Sequence, residues 1–185
     1  MKKASFDIPV KVDGDIFKHF AWFDTFLRQR RWVSPALFAG IMIFFSFIAF
    51  SRVGKSQQAA LIGSVLLGVG LLLPTVYFLS FHLSVRTQIK KLGLTTPRHV
   101  YTLELDGETG VMASTEKEKT AFCWHELFAA YRTNRAIYLY ATPRRAYLLP
   151  NGQIPTGPDT LWAFLTTVMS PAQLHDRRNR QKYAT

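Results

Sequence analysis

Two apolar stretches decide the fold of this chain: VSPALFAGIMIFFSFIAF at residues 33–50 and AALIGSVLLGVGLLLPTVYFLSFHLSV at residues 59–85. Neither contains Asp, Glu, Lys or Arg, and the only histidine in either is His82. As helices they would be about 27 and 40 Å long, against a hydrocarbon core of about 30 Å. Neither shows the polar face typical of a helix that packs on a soluble protein. We therefore predict two transmembrane helices, at about 33–50 and 59–82.

The two predicted helices form a hairpin with both termini on the cytoplasmic side. Residues 51–58 join them, and so short a loop forces an antiparallel arrangement. Six Lys and Arg side chains flank the hairpin on the side of the termini, whereas the loop carries only Arg52 and Lys55. Because cationic flanks stay in the cytoplasm, this bias predicts the orientation of a multi-pass protein. The six flanking cations are Arg28, Arg30, Arg31, Arg86, Lys90 and Lys91.

Small residues recur four apart in both predicted spans. They are Ala36 and Gly40 in the first span, and Ala60, Ser64 and Gly68 in the second. This spacing lets two helix backbones approach closely. Two interpretations are open, packing within the hairpin and homodimerisation. The short loop already holds the helices side by side, which favours packing within the hairpin.

The segment before the hairpin, residues 1–32, predicts a strand and then a helix. Residues 4–13 alternate apolar and polar side chains, the pattern of a half-buried strand. A lone strand is unstable, and the region after the hairpin can supply its sheet. In residues 14–31, an apolar stripe with extra aromatics precedes three arginines. This helix could lie at the membrane surface or pack on the cytoplasmic domain, and the sequence does not choose. The first thirty residues of the chain contain four Asp, which argues against a cleavable signal peptide.

The chain after the hairpin predicts a small α+β domain. Residues 86–99 read as a basic linker, and four or five short strands follow from residue 100 to residue 150. Asp159 then caps a helix, and residues 171–185 form a basic tail that frays. The expected fold class is therefore α+β: a transmembrane hairpin with a small antiparallel sheet or barrel closed by a C-terminal helix, over residues 100–170.

The region from residue 120 to residue 150 resembles the YcxB-like family of small bacterial membrane proteins. A Trp followed two residues on by an acidic and then an aliphatic residue is matched by Trp124, Glu126 and Leu127, and an aliphatic-Pro pair by Leu149 and Pro150. The resemblance implies a domain similar to bacterial pleckstrin-homology-like folds, in a bacterial inner (plasma) membrane protein. Asn151 stands where the family commonly has a basic residue, which weakens any charged binding site there. The resemblance implies no specific activity.

The chemistry-bearing residues do not predict an enzyme. One cysteine among 185 residues excludes a disulfide framework and a multi-Cys zinc site, and suits a reducing compartment. The histidines show no metal-ligand spacing, and the chain has no Gly-rich phosphate loop. Cys123 and His125 would share a strand face, where a thiolate could meet a base, but a buried free cysteine is the commoner arrangement. No cofactor, metal or small-molecule substrate is expected.

The positive charge predicts a membrane surface rather than nucleic acid. The net charge of +11 divides into +3 for residues 1–32, +2 for residues 33–85 and +6 for residues 86–185. It is concentrated beside the spans and in the tail, where attraction to anionic lipid explains it. Away from these regions, Arg144 and Arg145 occupy a turn between two predicted strands. Pleckstrin-homology-like folds often bind ligands near such turns, so the resemblance implies that these two residues could bind lipid or a partner.

Two functions follow from these observations. The first is a membrane-tethered module that binds a protein or peptide through a sheet edge or a groove. The second is an anionic-lipid-binding or envelope-homeostasis factor that uses its basic juxtamembrane surface. An enzyme is a third class, which the missing catalytic constellation argues against. Homo-oligomerisation through the helices also stays open.

Overall fold

The two apolar stretches form two helices in the computed structural model, which describes residues 5–52, 54, 57–115 and 118–178. The chain divides into two units. The helical unit comprises residues 18–92, and the β unit comprises residues 1–17 and 93–185. Several predicted features lie wholly or partly outside the described residues: Ala4 of the first strand, Lys55 of the loop, and the tail from residue 179.

The elements follow one another in the order strand, helix, hairpin, strands, helix and strand. In the part of the chain that the structure describes, the α-helices are α1 (Gly14–Trp22), α2 (Val33–Phe50), α3 (Gln57–Lys91) and α4 (Pro158–Val168), and a π-helix, Phe23–Arg28, continues α1. The strands there are β1 (Ser5–Val12), β2 (Arg98–Asp106), β3 (Gly110–Ser114), β4 (Lys119–Phe122), β5 (Ala129–Arg132), β6 (Ala136–Thr142), β7 (Arg145–Pro150) and β8 (Leu174–Asp176).

In the helical unit, α2 and α3 pack antiparallel through a few small residues. The Ser46 hydroxyl donates a hydrogen bond of 2.7 Å to the Gly63 carbonyl oxygen. A Cβ on Gly63 would lie 3.0 Å from the Phe50 ring, and one on Gly70 would lie 3.0 Å from Cβ of Met42. Glycine at these two positions therefore sets how closely the helices approach.

The five small residues predicted to pack within the hairpin are exposed or half-buried. Ala36, Gly40 and Ser64 are exposed, and Ala60 and Gly68 are half-buried. Gly40 and Gly68 have no atom within 4 Å of a built Cβ. The prediction of packing within the hairpin is wrong for Gly40 and Gly68, because spacing of four selects one face of a helix but not which face meets the neighbour. Homodimerisation through these residues stays a prediction.

The helix before α2 packs its aromatic side chains on α3. Phe26 stacks on Phe78 with ring centroids 5.3 Å apart, and meets Phe81 edge-on at 4.9 Å. Trp22 approaches the same two rings at 6.3 and 6.2 Å. Phe23 and Phe26 are buried. Neither sequence-based alternative, the membrane surface or the cytoplasmic domain, included this contact with α3.

The β unit contains two four-stranded sheets, ordered β1-β2-β3-β4 and β7-β6-β5-β8. Strand β1 pairs antiparallel with β2, so the segment before the hairpin completes a sheet formed after it, which the sequence had left open. Its apolar positions Ile8 and Val10 are fully buried, and they pair with Leu103 and Tyr101. The β unit is α+β, with no barrel closed by strand pairing among the described residues.

The second sheet is covered on both faces. Every residue of 136–141 is buried, which explains why β6 shows no alternation in its sequence. Strand β8 pairs parallel with β5, with Ala130 opposite Leu174. The first residues of the predicted fraying tail are therefore ordered, because backbone groups of β5 offer them hydrogen bonds.

Three boundaries differ from the sequence-based expectation. Helix α3 runs on to Lys91, so the predicted linker is helical over its first six residues, and β2 begins at Arg98. Helix α4 begins after Gly157, and Asp159 does not cap it. The carboxylate of Asp159 binds an arginine on β5 instead, a contact between residues distant in sequence.

Candidate interaction surfaces

Five exposed cations lie at one end of the helical unit. Arg30 and Arg31 precede α2, and because the helices are antiparallel, the last turns of α3 share that end. Arg28 differs from them, since its guanidinium pairs with Asp24 at 2.6 Å and is largely buried. We call the five exposed cations the basic end: Arg30, Arg31, Arg86, Lys90 and Lys91.

Aromatic side chains lie beside the helices next to the basic end. Trp22 and Trp32 are 42 % and 48 % exposed. Trp22, with Phe26, contacts α3 at Phe78, eight residues before Arg86. Tryptophan beside arginine and lysine is the composition of a membrane–water interface.

The other predicted cationic site, Arg144 and Arg145, is a turn fixed by its own backbone. The Thr142 hydroxyl oxygen accepts the N–H groups of Arg144 and Arg145 at 3.3 and 3.0 Å. The Arg145 guanidinium stacks over the Tyr147 ring at 5.5 Å. Tyr147 in turn lies 6.1 Å from the Phe122 ring, and its burial raises its pKa. The turn is thereby connected to strand β4 of the other sheet.

Two sheet edges are closed by side chains. The Tyr101 hydroxyl oxygen accepts the Leu148 N–H at 2.6 Å and donates to the Leu148 carbonyl at 3.1 Å, so it satisfies the outer edge of β7. Burial raises the pKa of Tyr101, which keeps it protonated for this donation. The Gln153 amide does the same for β1: its oxygen accepts the Lys11 N–H, and its nitrogen donates to the Lys11 carbonyl, both at 2.7 Å.

Strand β4 leaves its outer edge open. The Thr115 N–H donates to the Glu118 carbonyl at 2.8 Å, so these two residues form a hydrogen-bonded pair. From there, pairs of residues in the β3–β4 ladder alternate between hydrogen-bonded and non-hydrogen-bonded. Thr120 and Phe122 then direct their backbone groups to β3, and Lys119 and Ala121 direct theirs outward. Lys119 and Ala121 are exposed. Among the described residues, no strand pairs with this side of β4.

Sequence reasoning missed a polar cluster around Arg132. This side chain on β5 is buried, forms an ion pair with Asp159 and lies 5.7 Å from the Trp162 ring. Arg178 reaches the same Asp159 carboxylate at 3.2 Å and pairs with Asp176 at 2.8 Å. The cluster ties α4 and β8 to β5. No local pattern marks it, because its members come from residues 132, 159–162 and 176–178.

The cluster predicts that acid loosens β8. Hydrogen bonds from Arg132 and Arg178 lower the pKa values of Asp159 and Asp176, respectively. Their contribution to stability is complete above the usual carboxyl pKa of about 4 and is lost as the pH falls below it. Burial, with Arg177 nearby, lowers the pKa of His175, so protonation in the unfolded chain begins to favour unfolding below about pH 6.5.

We therefore expect the amides of residues 174–176, measured under a fixed exchange regime, to lose protection from hydrogen exchange before the rest of the β unit. His175 contributes below about pH 6.5, and Asp159 and Asp176 contribute below about pH 4. Asp159→Asn should lose part of that protection already at pH 7, because Arg132 loses the carboxylate that it binds. Equal protection of β8 and β6 throughout the range would contradict this expectation.

Cys123 and His125 do not share the strand face that the alternation of the sequence had predicted for them. Strand β4 ends at Phe122, and residues 124–126 form a 3-10 turn. The Cys123 N–H donates to the Glu126 carboxylate at 2.9 Å, which turns the chain out of the sheet. Cys123 is exposed rather than buried. The described residues contain no group of three or more His, Cys, Asp or Glu side chains suited to a metal ion.

The motif that suggested the YcxB-like resemblance has a structural role here. The Trp124 indole N–H donates to the Asp106 carbonyl at 2.8 Å, and its ring meets Phe164 of α4 at 5.7 Å. Glu126 caps the turn that follows β4. Comparisons with protein-family models, with curated proteins and with solved structures found no match to this chain. Membership of the YcxB-like family stays a prediction.

Proposed function

We propose that this chain is a non-enzymatic integral membrane protein. The α2–α3 hairpin inserts into a bilayer, and the β unit serves as an interaction module for a protein or peptide. The proposal places both termini in the cytoplasm of a bacterium, at its inner membrane, following the charge bias and the YcxB-like resemblance. The β unit would then be a pleckstrin-homology-like domain, as that resemblance implies.

The exposure of the helices carries the membrane part of the proposal. Both helices are long and apolar enough to cross a bilayer, and only 6 % and 17 % of their most apolar windows are buried. Leu37, Phe47 and Leu61 are 65 %, 76 % and 67 % exposed. A core helix of a soluble protein would be covered, and so large an apolar surface is costly in water. Within a bilayer the lipid tails cover it, and the helices satisfy their own backbone groups.

The position of the basic end supports the orientation. Met42 faces Gly70 and Phe50 faces Gly63, so the start of α2 lies at about the level of Phe78 on α3. From that level to the loop, both helices extend about 27–30 Å, the thickness of a hydrocarbon core. The aromatic cluster then falls at one interface, and Arg86, Lys90 and Lys91 extend beyond it.

Alkaline carbonate extraction and reporter fusions test insertion and orientation. We expect the chain to stay in the membrane pellet at high pH. A reporter active only outside the cytoplasm should be silent after Thr185 and active when inserted at Gly54. Extraction into the supernatant would refute insertion, and the opposite reporter pattern would refute the orientation. The same reporter behind a known cytoplasmic protein serves as the negative control.

Binding to anionic lipid is the second candidate function. The five exposed cations of the basic end favour it, since each is worth about 1 kcal/mol beside an anionic surface. Lys90→Gln with Lys91→Gln should weaken capture of vesicles that contain phosphatidylglycerol. Arg144→Gln with Arg145→Gln removes the same charge at the other site predicted to bind lipid or a partner, and a smaller loss there would assign lipid binding to the basic end. Equal loss in both variants would attribute the effect to net charge.

A further inference from the structure

We propose that the outer edge of β4 is a docking site for an extended acidic peptide segment, which adds a fifth strand to the first sheet. This inference rests on the proposed function and specifies the partner of the interaction module. An extended segment can pair with an exposed strand edge through its backbone, while its side chains select the partner.

The backbone of β4 supplies the first argument. Lys119 and Ala121 each present an N–H and a C=O group to solvent, as the ladder alternation requires. Two other sheet edges have a side chain bound to one of their residues: Gln153 binds the backbone of Lys11 on β1, and Tyr101 binds that of Leu148 on β7. Sheets usually protect their edges. Among the described residues, no strand pairs with the outer side of β4, or with that of the three-residue β8 in the second sheet.

The ends of β4 set the length of the docked segment. At one end, Gly110 lies so close to Phe122 that a built Cβ would be 2.1 Å from the Phe122 oxygen. The N–H of Cys123 is already bound by Glu126, so the open ladder stops there. Residues 119–122 therefore offer four backbone groups, enough for a short segment held by side-chain contacts as well as by hydrogen bonds.

The charge around β4 supplies the second argument, because it selects an acidic occupant. Lys119 is exposed on one face of the strand. On the other face the Phe122 ring lies beside the Tyr147 ring, over which the Arg145 guanidinium stacks. Arg144 is exposed in the same turn. Two carboxylates oppose these three cations, because Glu118 precedes the strand and Glu126 binds the Cys123 N–H at its end, which leaves a net charge of +1 around β4. A second copy of this chain would bring the same cations to the edge, and like charges oppose pairing. A segment with carboxylates would be attracted instead.

A defined peptide probe tests the inference on the full chain in detergent micelles. The probe is a fluorescein-labelled peptide of eight residues that alternates glutamate and threonine, and fluorescence anisotropy reports binding. We expect it to bind at least about tenfold more tightly than the matching lysine–threonine peptide. We expect a similar loss for the same acidic peptide with every backbone nitrogen methylated, because it keeps its charge but donates no hydrogen bond.

Two variants at one position locate the site. Ala121→Pro removes an N–H that points away from β3, so the β3–β4 ladder keeps all its bonds. It should weaken binding about tenfold, whereas Ala121→Val, which keeps the N–H, should stay within about twofold. Arg144→Gln with Arg145→Gln should weaken binding and reduce its salt dependence. Near-UV circular dichroism checks that each variant is folded. If Ala121→Pro does not fold, the methylated peptide still tests the edge of β4 on the parent chain.

Several results would overturn the inference. Equal binding of the methylated and unmethylated acidic peptides would show attraction by charge alone. Unchanged binding to Ala121→Pro would place the peptide elsewhere, and absence of binding at millimolar peptide would remove the site. A dimer that Ala121→Pro abolishes would assign the edge to a second copy. None of these results depends on the bilayer, so carbonate extraction and the reporters can succeed while the docking site fails.

Discussion

Gly110→Ala is expected to destabilise the β unit by more than about 2 kcal/mol, because a Cβ there would make the shortest contact among the described glycines. Gly110 has φ of +112°, a conformation that L side chains rarely adopt. A Cβ there would also lie 2.1 Å from the Phe122 carbonyl oxygen, and backbone cannot move aside as a flexible side chain can. The start of β3 and the end of β4 would have to separate, which breaks the pairing of Val111 with Phe122.

Urea denaturation of the full chain in detergent, followed by near-UV circular dichroism, measures this loss. Gly152→Ala is the matched control, since nothing lies within 4 Å of its built Cβ and its φ is not positive. We expect the control to stay within about 0.5 kcal/mol of the parent. A midpoint for Gly110→Ala equal to that of Gly152→Ala would mean that β3 and β4 do not approach as described.

Gly70→Ile is expected to separate the two helices of the hairpin, at a cost of about 1–3 kcal/mol. A Cβ at Gly70 would lie 3.0 Å from that of Met42 and 3.5 Å from the Ala39 carbonyl oxygen, before the rest of the isoleucine is added. Gly68→Ile is the control, because Gly68 lies two residues away on the same helix and has open space.

Loss of the monodisperse size-exclusion peak after heating in detergent measures the difference. Gly70→Ile should lower the temperature of half-loss, whereas Gly68→Ile should leave it unchanged or raise it, because isoleucine has the better helix propensity. Equal lowering by both substitutions would show that Gly68 also lies at a helix contact, either within the hairpin or with a second copy. The pair therefore separates the observed contact from the one predicted from spacing.

Some of the candidate surfaces depend on adjacent residues, and others depend on residues that are distant in the sequence. The basic end and the Arg144–Arg145 turn were predictable, since charge beside a span and a turn between strands are properties of a few adjacent residues. The open edge of β4 was not, because it depends on which strands find a neighbour. Gln153 and Tyr101 close other edges from positions 142 and 47 residues away from the backbone they bind.

The sequence by itself determined the two apolar helices, the strand before them, the α+β character of the rest and the places where positive charge gathers. Each of these follows from composition or periodicity over 8–27 adjacent residues. Only the tertiary structure decided that Gly63 and Gly70 form the helix contact, that Asp159 binds Arg132, and that β8 joins β5 in parallel. These contacts join residues far apart in the chain, where the gain from burial and pairing outweighs local preference, so no local pattern encodes them.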